Sequence, residues 1–387
     1  MTATAAALIL LAEPLLADDP AADPPQGVVR IETIDGRPWL VDADGQPFFA
    51  HGVTHLGHVR LSDAEIAEAA TVFDELGFNA HGYGCPDSLK SDRPYLEARG
   101  FAPNALYRVS DPKFGFLDVF DPDVKRSLAR QAETMARQNR GNATLIGYCW
   151  SDLAAWPLQN STGTNWVEWI RALPDDAPGQ RAYAAFLAAR DDGESETDRD
   201  RAFLRLIARE YFRVLGEATR RADPHHLVFG DRFTFETAVP EVVEEMLPYV
   251  DAIAIQPDYQ PGFPAGRFAE LAERTGKPIL ICDFAIRFRD GDVPVRGWKL
   301  QPGPAEAGRL YADYIRAAAA SEHVIGSFWC QPVDAQPSFG RGGVKQGLLA
   351  SGLVRRPELN EAMRQLNRHL AELAAGLRQP AGPPAVR

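Results

Sequence analysis

The sequence predicts an α/β protein built as a single (β/α)8 TIM barrel. From about residue 28, short β-rich runs alternate with helical segments over roughly 330 residues, and this alternation is typical of that barrel. The run 277–283 is almost entirely apolar, as expected for a parallel strand that is covered on both faces. No glycine-rich phosphate turn follows the first strand, so a doubly wound sheet is the weaker alternative.

The barrel is expected to occupy residues 28–378, between two terminal segments. Residues 1–27 are predicted to be flexible or signal-like. The apolar stretch at 5–12 resembles the core of a secretory signal, but no Lys or Arg precedes it, which favours a flexible segment. Residues 379–387 contain Pro and Gly and are expected to be loose. The compartment stays open: secreted or periplasmic if the first segment is a signal, and cytoplasmic otherwise.

Inside these limits, the elements follow one another in a regular order. An N-terminal β-hairpin is indicated by Asp35-Gly36 between two β-rich runs. Barrel strands are then predicted at 48–53, 77–81, 117–120, 144–150, 226–230, 250–256, 277–283 and 324–329. The main helices are predicted at 62–76, 122–139, 198–222, 240–247, 265–274, 304–320 and 357–377. A helical insertion at about 151–196 enlarges the loop after the fourth strand.

Composition limits the kinds of partner. The 387 residues include 41 Lys and Arg against 53 Asp and Glu, which gives a net charge of −12 and disfavours nucleic acid as a partner. No apolar run approaches the ~20 residues that span a bilayer, so no membrane partner is expected. The four cysteines form no C-x-x-C pair, which argues against a zinc ribbon. No cofactor is predicted, the oligomeric state stays open, and a neutral, polar ligand fits better than a nucleic acid.

Polar residues at the carboxyl ends of the strands are the candidates for function, because the active site of this barrel lies where strands lead into loops. The candidates for catalysis are Asp283, Asp152 and Asp231. The candidates for substrate binding are His55, Asn79, His81, Trp150, Arg232, Gln256, Tyr259, Trp329, Gln331 and Asp334. Carboxylates flanked by tryptophans suit sugars, since indole faces stack on pyranose C–H bonds while the acids act on the acetal.

Each carboxylate also has a structural interpretation. A charge on Asp283, at the end of an apolar strand, is costly unless the group is paired or used in catalysis. Asp152 could instead cap the helical segment that follows it. Asp231 could form a plain ion pair with the adjacent Arg232. Asp283 is therefore the strongest catalytic candidate.

Three histidines raise the alternative of a metal-dependent barrel enzyme. His51 and His55 are expected on one face of the first strand, and His81 would come from the neighbouring strand. The sequence does not reveal the further ligands and outer partners that such a site needs. Hydrogen bonding of neutral imidazole to sugar hydroxyls is favoured instead, and no metal is predicted.

Several segments resemble clan A glycoside hydrolases, particularly the agarase-type β-galactan hydrolases. Segment 142–156 is similar to their fourth-strand region, and segment 276–284 is similar to the seventh strand, which ends in the nucleophile. Segment 325–331 is similar to the eighth strand, whose Trp floors the subsite of the cleaved sugar. The segment 44–52 resembles the entry hairpin and first strand, so the resemblance covers about residues 36–350.

The chain departs from this family at the catalytic positions. The resemblance puts Asp283 where the family has a nucleophilic Glu, and Asp152 on the Asn of the family's Asn-Glu pair. Leu153 then falls on the family's acid/base Glu. The resemblance implies a glycoside hydrolase that uses two carboxylates on a poly- or oligosaccharide. Leu153 keeps open the alternative of a carbohydrate-binding barrel without catalysis.

Overall fold

The central sheet is parallel and curls into a nearly closed barrel. The computed structural model describes residues 27–101, 115–152, 156, 165–190, 193–257, 262–289, 300–334 and 344–377. Its strands are β1 (Arg30–Ile34), β2 (Arg37–Val41), β3 (Pro47–Phe48), β4 (Ala50–Val53), β5 (Ala80–His81), β6 (Tyr95–Ala98), β7 (Leu145–Cys149), β8 (Leu227–Gly230), β9 (Arg232–Phe233), β10 (Ile253–Ile255), β11 (Ile279–Phe284), β12 (Phe288–Arg289), β13 (Val324–Trp329), β14 (Val344–Lys345), β15 (Leu349–Ala350) and β16 (Val354–Arg355). The sheet runs in the order β8-β7-β6-β5-β4-β13-β11-β10-β9. The barrel architecture predicted from the sequence is confirmed at this level.

The fifth barrel strand is interrupted at Asp231, which lies between β8 and β9. Strand β8 pairs with β7 while β9 pairs with β10, so the two ends of the sheet meet in consecutive residues. Gly230 has a φ of +71°, and a Cβ at this position would lie 2.4 Å from Sδ of Met246. Only glycine satisfies both the positive φ and the close approach. The backbone N–H of Trp150 donates to the Gly230 carbonyl over 2.7 Å and holds the fourth strand to this break.

The third barrel strand lies at Tyr95–Ala98, so the strand predicted at 117–120 is wrong. Residues 117–120 form a turn, in which Oδ1 of Asp118 accepts the backbone N–H of Phe120 at 3.0 Å. The other oxygen of Asp118 accepts the N–H of Gly179 at 2.8 Å. The segment is therefore held by hydrogen bonds to the Asp118 carboxylate and does not pair with a neighbouring strand. The true strand escaped prediction because it is four residues long and contains a charged residue.

Helices surround the barrel. The sequence predicts a helix after every barrel strand, but the structure has none in the fully described stretch between β5 and β6. The helices are α1 (Asp63–Glu75), α2 (Pro122–Asn139), α3 (Trp166–Arg171), α4 (Pro178–Ala188), α5 (Glu196–Ala222), α6 (Pro240–Met246), α7 (Ala265–Thr275), α8 (Pro304–Ala320) and α9 (Pro357–Gly376). Residues 82–94, all described, connect β5 to β6 with only a 3-10 turn at Asp87–Leu89. Between β7 and β8, α3 and α4 precede the long α5.

A small antiparallel sheet of β1, β2 and β3 lies against the amino ends of the barrel strands. Arg37 donates from Nη2 to the carbonyl of Val324, the first residue of β13, over 3.4 Å. Leu40 is fully buried in one apolar cluster with Ala50 and other residues of the barrel interior. This end of the barrel is therefore covered, and the carboxyl ends of the strands form the other mouth.

The apolar core has two layers, as expected for a barrel surrounded by helices. The inner cluster contains small and branched residues such as Ala80, Ile146 and Leu280, while the outer cluster between strands and helices holds most of the aromatic side chains. Over the ranges given above, no helix is long and apolar enough to cross a membrane.

A buried polar network ties α5 to the adjacent strands. Asp223, 1% exposed, ends α5 and accepts from the hydroxyl of Tyr148 at 2.6 Å and from Nδ1 of His226 at 2.7 Å. Burial raises the pKa of Asp223, but the hydrogen bonds from His226 and Tyr148 outweigh this effect and lower it to about 2. The carboxylate is therefore the form that the fold stabilises.

Replacing Asp223 with Asn is expected to lower the free energy of unfolding at neutral pH by about 2 kcal/mol, from the difference between a pKa of 3.8 and one of about 2. Because the folded pKa is depressed, this contribution is present above about pH 4 and is lost as the pH falls through about 2. Denaturant unfolding of both proteins over this range checks it. A stability difference that stays constant down to about pH 2 would contradict the assignment.

Candidate functional site

The candidate site lies at the carboxyl ends of the barrel strands. Asp283 is the fifth residue of β11, Gln256 follows β10 directly, and Arg232 begins β9. Asp152 lies three residues beyond β7, and His55 lies two residues beyond β4. Because all of these strands are parallel, their ends meet at one mouth and bring five sequence-predicted residues together.

Asp283 is the best-connected carboxylate at this mouth. Its Oδ1 accepts from Oγ1 of Thr54 at 2.9 Å, and its Oδ2 accepts from Nε2 of Gln256 at 3.0 Å and from Nε2 of His55 at 3.2 Å. The side chain retains 10% exposure, so it is open to a small ligand. Burial raises the pKa of Asp283, but the interactions with His55 and the other donors outweigh it, and the net pKa is lowered. Asp283 is therefore a carboxylate at neutral pH.

The amide of Gln256 links the two carboxylates that the sequence predicts as catalytic. Its Nε2 lies 3.0 Å from Oδ2 of Asp283, 3.1 Å from Oδ1 of Asp152 and 3.1 Å from the hydroxyl of Tyr83. An amide has two hydrogens, so these three acceptors share them. The nearest oxygens of the two carboxylates are at most the sum of the two bonds to Nε2 apart, about 6 Å. The ~5–5.5 Å spacing of the carboxyl pairs in retaining glycosidases falls within this upper limit.

Arg232 holds the second carboxylate and is itself buried, with 5% exposure. Its Nε donates to Oδ1 of Asp152 at 3.1 Å, and its guanidinium lies 3.8 Å from the centre of the Tyr83 ring. A planar cation can stack on an aromatic face and bond a carboxylate edge at once. Asp152 is 28% exposed, so it is the more open of the two carboxylates.

A pair of histidines extends the site from Asp283 toward the surface. His55 adopts the left-handed conformation, with φ 63°, and its Nδ1 lies 2.8 Å from Nδ1 of His58. Burial, followed by the charges of His55 and Arg232, lowers the pKa of His58. The backbone of Gly84 approaches this pair closely, because a Cβ there would lie 3.1 Å from Cα of His55 and 3.2 Å from Cε1 of His58. The loops after β4 and β5 are thus packed closely around the two imidazoles.

Two predicted catalytic and binding carboxylates do not open onto the mouth. Asp231 is fully buried at the break in the fifth strand, where Oδ1 accepts the backbone N–H of Ser151 at 3.0 Å. Asp334 is 3% exposed, pairs with Nη2 of Arg356 at 2.8 Å and accepts the N–H of Gly347 at 2.9 Å. Both groups support backbone, so they are left out of the catalytic machinery proposed below.

The two tryptophans predicted as sugar platforms are also buried, each with 0% exposure. Trp150 stacks on Phe212 of α5, with ring centres 6.1 Å apart. Trp329 packs against Tyr311 of α8 at 4.4 Å, and its Nε1 donates to the carbonyl of Gln346 over 2.9 Å. Both indoles therefore contribute to packing between the barrel and the helices, and neither presents a face to the mouth.

The other four residues predicted to bind substrate are Asn79, His81, Gln331 and Tyr259. Asn79 bonds the first strand, donating to the Phe49 carbonyl at 2.9 Å and accepting the N–H of His51 at 2.8 Å. His81 is 2% exposed, and burial lowers its pKa to about 4. Gln331 is half-buried with a φ of 57°. Tyr259 lies outside the described residues.

The three histidines of the metal alternative do not converge. The ring nitrogens of His51 bond Asn367 of α9 and Tyr311 of α8, with 3.0 Å to the Tyr311 hydroxyl. His51 therefore points into the helical layer, whereas His55 points into the mouth. Among the described residues, the group whose ligand atoms could hold a metal is a different one: His55, Asp283 and Cys330.

Sequence reasoning missed Thr54, Tyr83 and Cys330. Each follows a barrel strand by one or two residues, so the rule that selected the other candidates covers them too. A buried free thiol is the commonest role of a cysteine near a strand, and nothing else in the sequence distinguished Thr54 or Tyr83 as part of the site.

Comparison with known proteins supports the fold and leaves the activity open. No family model matches the chain, and no curated protein sequence matches it. An agarase, AgWH50C, superposes with a TM-score of 0.74 and 18% identity over 90% of this chain, which spans 65% of that enzyme, slightly less than two thirds. PfGH50B gives a TM-score of 0.75 and 17% identity, covering 90% of this chain and 67% of its own.

A GH2 β-galacturonidase from Eisenbergiella tayi is more distant, with a TM-score of 0.55 and 12% identity over 89% of this chain and 54% of its own. The solved structures most similar in fold therefore include glycoside hydrolases. Identities this low establish a shared fold, and the chemistry has to be argued from the site.

Proposed function

We propose that this protein is a glycoside hydrolase that acts on a poly- or oligosaccharide through Asp283 and Asp152. The observation that carries the proposal is the placement of both carboxylates on one amide, that of Gln256, at the open mouth of the barrel. Glycosidic bonds are cleaved by two carboxyl groups at such spacing, one on each side of the bond. The catalytic unit would span residues 28–378, with the helical insertion at about 151–196 beside the mouth.

Asp283 is assigned the role that needs a carboxylate, as nucleophile or base. Its lowered pKa and its bonds to Thr54 and Gln256 supply an ionised, fixed oxygen. Asp152 is assigned the leaving-group proton, because it is the second carboxylate at the mouth and the more accessible of the two. His55 and Gln256 would position Asp283, and Arg232 would position Asp152.

The substrate class is proposed by analogy with the neighbours in fold. Those neighbours are agarases, among them an exo-β-agarase, together with β-glucuronidases and a β-galacturonidase. We therefore infer a β-linked galactan or uronic acid glycoside as the substrate, and turnover of agarose oligosaccharides, aryl β-galactosides and aryl β-glucuronides is the first assay. The absence of release from every member of a broad aryl-glycoside and oligosaccharide panel would reject the hydrolase.

The role of Asp152 is testable through the leaving group. Asp152→Asn is expected to lower kcat by about 10²–10⁴-fold on oligosaccharides, whose leaving sugar needs a proton. On a dinitrophenyl glycoside, whose leaving group departs without protonation, the loss is expected to be much smaller. Rates on the two substrates give the comparison, and Asp87→Asn, with a side chain that is 95% exposed, is the matched control. Equal losses on both substrates would show that Asp152 is not the acid.

A carbohydrate-binding barrel without turnover is the second candidate, and it is favoured by Leu153 at the family's acid/base position. Leu153 lies outside the described residues. Calorimetric binding of oligosaccharides without any release of reducing ends would support this alternative.

A further inference from the structure

We propose that His55, Asp283 and Cys330 form a binding site for a thiophilic divalent cation, with Zn²⁺ as the best match. One ligand atom from each side chain lies within 4.8 Å of the other two. The three residues come from separate parts of the chain: the loop after β4, the end of β11 and the position after β13. Their convergence is a consequence of the barrel closing and does not come from a local sequence motif.

The spacing is close to that of a tetrahedral site. Zinc holds imidazole nitrogen and carboxylate oxygen at ~2.0–2.2 Å, so two such ligands on one tetrahedral ion are ~3.4 Å apart. Nε2 of His55 and Oδ2 of Asp283 lie 3.2 Å apart. Sγ of Cys330 lies within 4.8 Å of both atoms, against the ~3.6 Å expected between a sulfur and a nitrogen or oxygen ligand on one tetrahedral zinc ion. Binding therefore requires an inward adjustment of about 1 Å or less by these side chains. Three protein ligands leave a fourth position for water, as in open zinc sites.

The ligand chemistry selects the ion. A thiolate and a carboxylate together carry two negative charges, which a divalent cation neutralises, and the imidazole binds as a neutral ligand. Nitrogen, oxygen and sulfur ligands suit Zn²⁺ or Co²⁺, whereas Mg²⁺ and Ca²⁺ require oxygen ligands. The ligand atoms of Cys330 and Asp283 lie within 4.8 Å of each other, and a bound metal would displace the proton of the thiol.

The surrounding residues hold two of the three ligands in place. Nδ1 of His55 lies 2.8 Å from Nδ1 of His58. In the tautomer of His55 that carries its hydrogen on Nδ1, this contact is a hydrogen bond to His58, and the lone pair of Nε2 is available for the metal. Oδ1 of Asp283 accepts from Thr54, which leaves Oδ2 directed toward His55. The side chains of His55 and Asp283 are 20% and 10% exposed, so an ion can reach them from solvent.

Binding of the ion has a consequence for turnover, which rests on the proposed function. A metal on Asp283 occupies the oxygen that would act as nucleophile or base, so Zn²⁺ is expected to inhibit hydrolysis and a chelator to restore it. The binding site itself does not depend on the hydrolase. If the protein binds metal but has no hydrolase activity when metal-free, the proposed function is rejected and the metal site stands. If the protein is active, binds no metal and is insensitive to Zn²⁺, the metal site is rejected and the proposed function stands.

The test uses the full chain, reduced and freed of metal by chelation. Titration with Co²⁺ is expected to give a thiolate-to-cobalt charge-transfer band and tetrahedral visible bands that saturate at one equivalent. Calorimetry with Zn²⁺ should show the same stoichiometry. Cys330→Ser should abolish the charge-transfer band and weaken Zn²⁺ binding by at least about 100-fold, since even outer partners of zinc ligands contribute 10–100-fold.

Cys85→Ser is the matched control, because Cys85 is also a free, half-buried cysteine and lies outside the cluster. It should keep both the band and the affinity of the original protein. If Cys330→Ser does not fold, His55→Gln provides the second variant, with the visible bands weakened and shifted. An unchanged Zn²⁺ affinity in the Cys330 or His55 variant, or a cobalt complex without the thiolate band, would overturn the proposal.

Discussion

Asp283→Asn is expected to lower kcat by at least about 1,000-fold while thermal unfolding stays nearly unchanged. The amide keeps the size of the side chain and can still accept from Thr54, but it cannot supply the negative oxygen that attacks carbon or activates water. Its interactions with His55 and Gln256 lose the charge that strengthens them now. The loss should appear in kcat on every substrate, with good and poor leaving groups alike, since the missing group is not the proton donor.

The measurement is steady-state turnover of an aryl glycoside, with circular dichroism on the same samples to follow unfolding. Asp87→Asn makes the same chemical change on an exposed side chain and should retain full activity. In Asp283→Gly, added azide is expected to restore part of the rate if Asp283 is the nucleophile, because a small anion can enter the space that the side chain leaves. Turnover near the original rate in Asp283→Asn would reject the assignment of this residue.

Sequence reasoning could group residues at one end of the barrel because parallel strands bring all their carboxyl ends together. Asp283, Asp152 and Gln256 lie at one mouth for this reason alone. The sequence could not decide which face of the sheet each side chain occupies, because side chains alternate between faces and a register shift reverses the order.

Register shifts occur at the strand ends that mattered. The pairing of β7 with β8 shifts between Tyr148 and Cys149, and the pairing of β11 with β13 shifts between Ile281 and Phe284. Trp150 directly follows β7 and Trp329 ends β13, and both indoles pack toward the helices. The bulges that cause such shifts have no reliable sequence signal, so the burial of both indoles could not be predicted from the sequence.

Asp231 is expected to make the stability of this protein fall as the pH rises from about 4 to about 7. The carboxyl is fully buried where the fifth strand breaks. Burial raises its pKa to about 7, although the backbone N–H of Ser151 and the charge of Arg232 offset part of the effect. The folded protein therefore retains a proton that the unfolded chain releases above pH 3.8.

The sign follows from proton binding. Below pH 3.8 both states hold the proton, and the fold has no penalty from this group. Between there and about 7 the unfolded state alone ionises, so the free energy of unfolding decreases with pH, by about 4 kcal/mol in total for about three pKa units. Above about 7 both states are ionised and the penalty is constant. This direction is opposite to that of Asp223, whose contribution disappears only in acid.

Asp231→Asn removes the titration and keeps an acceptor for the N–H of Ser151. The free energy of unfolding of the variant, relative to that of the original protein, should therefore rise by about 4 kcal/mol between about pH 4 and about pH 8. Denaturant unfolding at several pH values measures the difference between the two curves, which is insensitive to the cost of burying the new amide because that cost does not vary with pH. Asp87→Asn, on the surface, should run parallel to the original protein throughout. If Asp231→Asn also runs parallel, the buried carboxyl is ionised across this range, and the break in the fifth strand holds a charge that Arg232 and the Ser151 N–H are sufficient to stabilise.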